Sequence, residues 1–254
     1  MTPELPSSTC TSDAACERWE IAVVVPTLNE RLNIEALLNG ILAADARLHV
    51  LVVDDGSQDS TAAYVQERSS TEPRVHLLNR GRKLGYASAI QDGMRRALEH
   101  HAERIVQMDA DFSHHPKYLP AILKKSERCD LVIGSRYVRG GGTANWGLYR
   151  QILSAGANGL ARTLLGLRVR DCTSGFRCWE SELITRAGVL DVRVEGYAFL
   201  FLVTDLCRRE KAKIGEVPII FADRTAGKSK MSRGIIFEAV QVLGRLWLKR
   251  LARR

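Results

Sequence analysis

Two aspartates, Asp109 and Asp111, stand one residue apart at the end of an apolar run over residues 105–108. Such a run predicts a buried strand, and open α/β sheets bind their ligands at the carboxyl ends of their strands. Carboxylate oxygens at such a position suit a hard divalent cation such as Mg²⁺ or Mn²⁺. The alternative interpretation is a solvated turn with an N-cap for a helix near Pro116.

A second predicted strand, over residues 50–53, is also followed directly by acidic residues, Asp54 and Asp55. Its unbroken apolar character is typical of a strand covered on both faces, as in parallel sheets. Ser57 or Asp59 can cap the helix that follows, which gives part of this polar segment a structural task. Two acidic strand ends in one crevice would repel each other, so we expect a cation or a cation-bearing substrate between them.

The elements that would position these acids alternate along the chain. Apolar runs predict strands over residues 21–25, 50–53, 75–78, 105–108 and 131–133. Helical spacing or composition predicts helices near residues 32–42, 62–68, 87–98, 119–125 and 148–167. Strands separated by helices imply right-handed crossovers and a mostly parallel, doubly wound α/β sheet.

The chain has 254 residues, of which 45% are hydrophobic and 26% charged, enough for one domain or for one domain with an appendage. The net charge of +8 favours a polyanionic partner, such as nucleic acid, an anionic membrane surface or a phosphorylated substrate. Six scattered cysteines, without a secretory signal or close metal-binding pairs, indicate reduced cytosolic thiols. No run reaches the roughly 18 to 20 apolar residues of a spanning helix.

Five motifs stand in a fixed order along the chain: Pro-Thr-Leu-Asn-Glu at 26–30, Asp-Asp-Gly-Ser at 54–57, Asp-Ala-Asp at 109–111, Gly-Ser-Arg at 134–136, and Asp-Arg at 223–224 with Gly-Lys-Ser-Lys at 227–230. Together they resemble the family 2 glycosyltransferases of the dolichol-phosphate (polyprenol-phosphate) mannose synthase type. The resemblance implies a GT-A fold, which binds a nucleotide-sugar and a divalent metal. It also implies inverting transfer of mannose from GDP-mannose to the phosphate of a polyprenol.

The resemblance also implies roles for individual residues. Asp109, Asp111 and Ser113 would hold Mg²⁺ or Mn²⁺ on the donor diphosphate, with Asp54 or Asp55 reading the base. Asp109, Asp111 and Arg136 would be the catalytic residues. The substrate-binding residues would be Pro26, Leu28, Glu30, Val53, Asp54, Asp55, Lys83, Asp109, Ala110, Asp111, Ser135, Arg136, Arg150, Arg224 and Lys230. Leu28, Ser113 and Leu202 depart from the residues most common in the family, which are Tyr, Gln and Glu.

Arginine binds phosphate through two parallel hydrogen bonds, so Arg136, Arg150 and Arg224, with Lys230, are the candidates for the acceptor phosphate. Each of these residues has the alternative of being a surface cation. Lys83 precedes a predicted helix whose N-terminus could face phosphate, or it lies in a simple loop-to-helix turn. His114 and His115 beside the acidic pair are interpreted as solvated loop residues, since a hard cation prefers oxygen ligands.

The sequence predicts three segments: a disordered tail over residues 1–18, a glycosyltransferase domain over 19–231 and a basic amphipathic helix over 232–254. That helix could lie on an anionic bilayer, dock on a small membrane subunit, or pack on the protein's own core. We expect a cytoplasmic enzyme, peripheral at the cytoplasmic membrane face, with a nucleotide-sugar and a polyprenyl phosphate as substrates.

Three alternatives stay open at this point. Within the enzyme class, a relative that transfers glucose from UDP-glucose to polyprenyl phosphate or another acceptor has the same acidic motifs. A phosphoacceptor receiver domain also clusters aspartates at strand ends, although it needs only about half this length. A nucleic-acid-binding protein would explain the charge, but only 6% of the residues are aromatic, and we expect no nucleic-acid partner.

Overall fold

A computed structural model describes residues 17–194, 196–222 and 244. The strands are β1 (Ile21–Thr27), β2 (Leu48–Asp54), β3 (Val75–Asn79), β4 (Arg104–Gln107), β5 (Leu131–Ser135), β6 (Gly142–Ala144), β7 (Arg177–Glu180), β8 (Ile214–Pro218) and β9 (Ile220–Ala222). The helices are α1 (Arg31–Ala44), α2 (Thr61–Thr71), α3 (Tyr86–Glu99), α4 (Leu119–Ser126), α5 (Leu148–Leu165), α6 (Ser181–Arg186) and α7 (Gly196–Arg209), with 3-10 turns at Pro116–Tyr118 and Val189–Asp191.

Seven strands form the main sheet in the order β3-β2-β1-β4-β7-β5-β8. All neighbouring pairs are parallel except those of β7, which runs antiparallel to both β4 and β5. Strands β6 and β9 form a separate parallel pair. The predicted α/β class with a mostly parallel sheet is confirmed. The sequence pattern did not predict β6 to β9, among them the antiparallel β7, nor helices α6 and α7.

The sheet is covered on both faces by apolar side chains. Val23 and Val25 of β1 belong to the cluster that contains the buried face of α1, whereas Ala22 and Val24 belong to the cluster under α3. Successive side chains of a strand point to opposite faces, so a strand covered on both sides needs apolar residues throughout. This requirement explains the unbroken apolar sequence of β1 and of most of β2.

Helix α3 packs against the sheet at very short range, and Gly93 makes this possible. A Cβ at this position would lie 2.3 Å from Cγ1 of Val24 and 3.0 Å from Cγ2 of Val53. We therefore expect Gly93→Ala to lower the free energy of unfolding by about 1 to 3 kcal/mol, because overpacking outweighs the better helix propensity of alanine. Urea denaturation of the two proteins measures the change.

Gly159 in α5 supplies a matched control. Apart from its chain neighbours and the nearby helix backbone, an added Cβ would meet no atom of the described residues within 4 Å. Gly159→Ala should raise the free energy of unfolding by about 0.5 to 1 kcal/mol, the usual gain of alanine over glycine in a helix. If both substitutions stabilised the protein, the close packing of α3 on β1 would be contradicted.

The remaining expectations concern α5, membrane-spanning helices, the two ends of the chain and the cysteines. The predicted helix over 148–167 is α5, which ends at Leu165 with Gly166 in the left-handed conformation at φ 65°. Within the described ranges, no helix combines the length and apolar character needed to cross a membrane. Residues 1–16 and nearly all of 232–254 lie outside the described residues, so the predicted tail and amphipathic helix stay predictions. The described cysteines, Cys129, Cys172, Cys178 and Cys207, are free and buried.

Candidate active site

The parallel strands β1, β2, β4 and β5 bring their carboxyl ends to one edge of the sheet. Asp54 closes β2, Ser135 closes β5, and Asp109 follows β4 by two residues. The register pairs Thr27 of β1 with Asp54 of β2. Both acidic strand ends therefore lie at the same edge, as the sequence predicts.

Asp54 organises the turn that follows β2. Its Oδ2 accepts hydrogen bonds from Oγ1 of Thr27 at 2.9 Å and from Oγ of Ser57 at 2.6 Å, and its Oδ1 accepts from the backbone N–H groups of Gly56 and Ser57. Gly56 adopts φ 84°, and a Cβ there would lie 2.8 Å from the backbone of Arg82. The Asp54 carboxylate thus fixes the turn after β2, and its proposed contact with a base stays a prediction.

Asp55 connects β2 to the loop before α3. It pairs with Arg80 at 2.9 Å and accepts hydrogen bonds from the backbone N–H groups of Leu84 and Gly85. The Arg80 guanidinium in turn contacts Oγ of Ser88 and the carboxylate of Asp92. These bonds hold the loop that carries Lys83, which is itself exposed to solvent.

Asp111 and Ser113 form a tight turn after β4. The buried Asp111 carboxylate accepts a hydrogen bond from the backbone N–H of Ser113 at 3.1 Å. Between them, Phe112 adopts φ 59°, a conformation that costs free energy in a bulky residue. The buried Oγ of Ser113 has no hydrogen-bond partner within the part of the chain that the structure describes.

This unsatisfied hydroxyl bears on whether the turn suits a divalent cation. A buried polar atom without a partner is costly, and coordination to a cation would satisfy it. Two carboxylates and a hydroxyl form an all-oxygen donor set, which is the kind that Mg²⁺ and Mn²⁺ prefer. Asp109, Asp111 and Ser113 therefore fit a hard divalent cation.

Asp109 is held by a tyrosine that the sequence analysis did not single out. The hydroxyl of Tyr86, at the start of α3, donates a hydrogen bond to Oδ1 of Asp109 at 2.8 Å and accepts one from Nε2 of Gln107 at 3.2 Å. Burial raises the pKa of Tyr86 well above its usual value, and the nearby Asp109 charge adds to the shift. The phenol therefore stays protonated and orients the carboxylate.

His114 is also part of this arrangement, and the expectation of a solvated loop residue was wrong for it. Its side chain is buried and stacks on Phe176 with ring centroids 5.1 Å apart. Nδ1 of His114 accepts a hydrogen bond from the backbone N–H of Asp109 at 2.9 Å. The same nitrogen lies 3.6 Å from Oδ2 of Asp109. His115 is exposed, as expected.

We expect Tyr86→Phe to weaken Mn²⁺ binding by about 10- to 100-fold, the usual cost of losing a hydrogen bond that orients a metal ligand. The variant keeps the aromatic ring and removes only the hydroxyl that contacts Asp109. Calorimetric titration with Mn²⁺ measures the effect. Tyr64→Phe, on α2, is the matched control and should bind Mn²⁺ as the unmodified protein does. Equal affinity in both variants would remove Tyr86 from this account.

Arg136 lies at the end of β5 in a buried ion pair with Asp171. Its Nε and Nη2 contact the two Asp171 oxygens at 2.7 and 2.8 Å, and Nη2 also donates to Oγ1 of Thr173 at 2.6 Å. Burial alone would raise the pKa of Asp171, but the hydrogen bonds from Arg136 hold it below its usual value. The pair fixes the plane of the guanidinium group.

Aromatic rings connect the arginine to the acidic turn. The Arg136 guanidinium carbon lies 5.3 Å from the ring centroid of Phe221 and 5.5 Å from that of Trp146. The Phe221 ring contacts His114 edge-on at 5.6 Å, and His114 bonds to the backbone of Asp109. One wall of aromatic side chains therefore links Arg136 to the candidate cation site.

The other predicted site residues have diverse positions. Pro26, Leu28 and Glu30 are partly buried at the junction of β1 and α1, while Val53 and Ala110 have core side chains and Ser135 is buried. Arg150 lies in α5, whereas Arg224 and Lys230 lie outside the described residues. Leu202 lies in α7 and packs against the apolar cluster under α3.

Tyr86, His114, Asp171 and Gly175 are the site residues that the sequence analysis did not assign. A Cβ on Gly175 would lie 2.8 Å from the Tyr86 hydroxyl and 3.7 Å from Oδ1 of Asp109, so this loop approaches the acidic pair closely. The glycine offered a signal, because glycine often marks a close backbone approach, and His114 offered one through its place beside the acidic pair.

The fold is shared with proteins of known structure. Glucosyl-3-phosphoglycerate synthase from Mycobacterium tuberculosis, in complex with Mn²⁺, UDP and glucosyl-3-phosphoglycerate, superposes with a TM-score of 0.61 over 89% of this chain and 78% of its own, at 22% identity. Another mycobacterial protein of known structure superposes with a TM-score of 0.64 at 18% identity, over 88% of this chain and 74% of its own. The fold is that of a GT-A glycosyltransferase.

Sequence comparison identifies the family. Residues 22–188 match the glycosyl transferase family 2 profile, and the chain belongs to this family. An undecaprenyl-phosphate mannosyltransferase from Micrococcus luteus is 38% identical over 87% of this chain and 90% of its own length. A polyprenol monophosphomannose synthase from Mycolicibacterium smegmatis is 39% identical over 86% of this chain and 83% of its own.

Proposed function

We propose that the enzyme transfers mannose from GDP-mannose to the phosphate of a polyprenol, with inversion at the anomeric carbon and with Mg²⁺ or Mn²⁺ bound. The observation that carries the proposal is the similarity to two polyprenyl-phosphate mannosyltransferases over nearly the whole of each chain. The acidic turn with its unsatisfied Ser113 hydroxyl supports the metal dependence. The aromatic side chains that link Arg136 to the acidic turn support placing the acceptor phosphate near the donor.

The donor side of the proposal uses the ends of β1, β2 and β4. Pro26, Leu28 and Glu30 would line the nucleoside, with Asp54 and Asp55 holding the loops around the base. Asp109, Asp111 and Ser113 would hold the cation. When bound, the cation neutralises the negative charge that develops on the departing nucleoside diphosphate. Tyr86 and His114 keep Asp109 in one orientation, which lowers the cost of assembling the site.

The acceptor side needs little acid–base chemistry. A phosphate monoester is already anionic near neutral pH, so it can attack the anomeric carbon without a strong general base. Its charge must instead be positioned against that of the donor. Arg136, locked in plane by Asp171, is the described residue that would do this, and we assign the same task to Arg150, Arg224 and Lys230.

A polyprenyl phosphate lies in a membrane, so the enzyme must reach a lipid surface. We propose that the basic segment 232–254 provides this contact, either with anionic lipid or with a small membrane subunit. Its apolar residues alternate with Arg245, Lys249, Arg250, Arg253 and Arg254. The enzyme would then act as a peripheral protein at the cytoplasmic face of the membrane.

The reaction is tested by supplying GDP-mannose or UDP-glucose, each with a short polyprenyl phosphate and Mn²⁺ or Mg²⁺. The product is measured as sugar in the organic extract. We expect mannose, and far less glucose, to enter the lipid, and we expect a chelator to stop the transfer. Transfer of glucose alone would overturn the donor assignment. Transfer unaffected by the chelator would overturn the metal dependence.

A further inference from the structure

A cluster of imidazoles lies at the edge of the sheet opposite to the candidate active site. His49 is the second residue of β2 and His76 the second of β3, and the register places them on neighbouring strands. Asp54 stands five residues further along β2, about 16 Å away at 3.3 Å per residue. The imidazole cluster is therefore separate from the acidic turn.

Three side chains of this cluster present potential ligand atoms to a common point. Single ligand atoms of Glu17, His49 and His76 all lie within 4.8 Å of one another. Nδ1 of His49 and Nε2 of His76 are 3.2 Å apart. Two nitrogens bound to one tetrahedral Zn²⁺ at about 2.0 to 2.1 Å are separated by roughly 3.3 Å, so these two already have nearly the required spacing.

We propose that Glu17, His49 and His76 form a binding site for a transition-metal dication, with Zn²⁺ as the best match. Two imidazoles and one carboxylate are a known zinc ligand set that leaves a fourth position for water. Imidazole ligands favour Zn²⁺ over Mg²⁺ or Mn²⁺, so the ligand chemistry differs from that of the all-oxygen turn at Asp109. The site would tie the chain before β1 to β2 and β3.

The surroundings hold the imidazole rings of the cluster in place before any metal arrives. Nδ1 of His100 contacts the backbone oxygen of Glu17 at 2.9 Å, and the backbone N–H of Trp19 donates to the backbone oxygen of His100 at 3.0 Å. The Trp19 ring stacks on His76 at 4.2 Å and on His100 at 3.9 Å between centroids. The His76 ring would therefore lose little freedom on binding, which favours affinity.

The alternative for His49 and His76 is a simple hydrogen bond in which one imidazole N–H donates to the other ring. That arrangement accounts for the 3.2 Å contact but gives no role to the Glu17 carboxylate. Coordination of one cation, by contrast, accounts for both the spacing of the two ring nitrogens and the nearby carboxylate.

The site is tested by calorimetric titration of the full chain with ZnCl₂ at neutral pH, after removal of metals with a chelator. Asp111→Ala distinguishes the imidazole cluster from the acidic turn. The variant and the unmodified protein should show the same Zn²⁺-binding event at the imidazole cluster. His49→Gln and His76→Gln should each weaken this event by more than about a hundredfold, since loss of even an outer hydrogen-bond partner costs 10- to 100-fold.

Two further variants keep the result interpretable if a histidine variant folds poorly. Glu17→Gln changes an exposed side chain, and it should weaken Zn²⁺ binding by about tenfold or more through the loss of a ligand charge. His101→Asn, an exposed histidine near the same edge that is not among the three ligands, should bind Zn²⁺ as the unmodified protein does. Absence of a Zn²⁺-binding event in the unmodified protein would overturn the proposal. It would also be overturned if Glu17→Gln and both histidine variants bound Zn²⁺ as tightly as the unmodified protein does.

Discussion

Asp111→Asn is expected to lower the rate of sugar transfer about a thousandfold, the loss typical when a group that stabilises developing transition-state charge is removed. The substitution keeps the shape of the side chain and an oxygen that can accept the hydrogen bond from the backbone of Ser113. It removes one negative charge from the donor set that fits a divalent cation. Initial rates of lipid mannosylation at saturating GDP-mannose measure the effect.

Asp191→Asn is the matched control for this experiment, because Asp191 is exposed in the 3-10 turn before α7, away from the strand ends. Its transfer rate should equal that of the unmodified enzyme. Raising the Mn²⁺ concentration should recover part of the activity of Asp111→Asn if the substitution acts by weakening the cation site. Full activity of Asp111→Asn at low Mn²⁺ would remove Asp111 from the mechanism.

Asp171→Asn should lower the free energy of unfolding by about 3 to 5 kcal/mol, the usual result of removing one partner from a buried ion pair. Asp171 is completely buried and the Arg136 side chain is 5% exposed, so the arginine charge would lose its carboxylate partner inside the protein. Chemical denaturation measures the loss. Asp45→Asn, which disrupts an exposed pair with Arg47, should cost about 1 kcal/mol or less.

The Asp171 prediction has a pH dependence whose sign follows from the lowered pKa. A carboxyl with a lower pKa in the folded state stabilises the protein above its unfolded pKa, near 3.9. This contribution is lost as the pH falls through the folded pKa. The difference in stability between Asp171→Asn and the unmodified protein should therefore be constant at neutral pH and shrink in acid. A difference that is unchanged well below pH 3 would contradict the ion-pair explanation.

Much of the fold could be predicted from local sequence patterns. The apolar runs and helical spacing predicted β1 to β5 and α1 to α5, because each of these elements has a continuous signal in its own residues. Strand β7 has only four residues, and its antiparallel pairing with β4 and β5 joins segments that are far apart in the chain. Such pairing depends on tertiary packing, which a window of sequence does not contain.

The same distinction applies to the site. The strand-end position of Asp109 and Asp111 was readable because the acids directly follow an apolar run. The partners that orient the site come from elsewhere in the chain: Tyr86 is 23 residues from Asp109, and Asp171 is 35 residues from Arg136. A lone tyrosine at a helix start or a lone aspartate on a loop has many ordinary roles, so only the three-dimensional structure could assign these two.

The anomeric configuration of the lipid product tests the proposed reaction most directly. The enzyme would be incubated with GDP-mannose, Mn²⁺ and a short polyprenyl phosphate, and the purified product examined by NMR. A single displacement by the acceptor phosphate predicts a β-linked mannosyl phosphate from the α-linked donor. An α-linked product would contradict direct attack by the phosphate, and a lipid without mannose would contradict the proposed function itself.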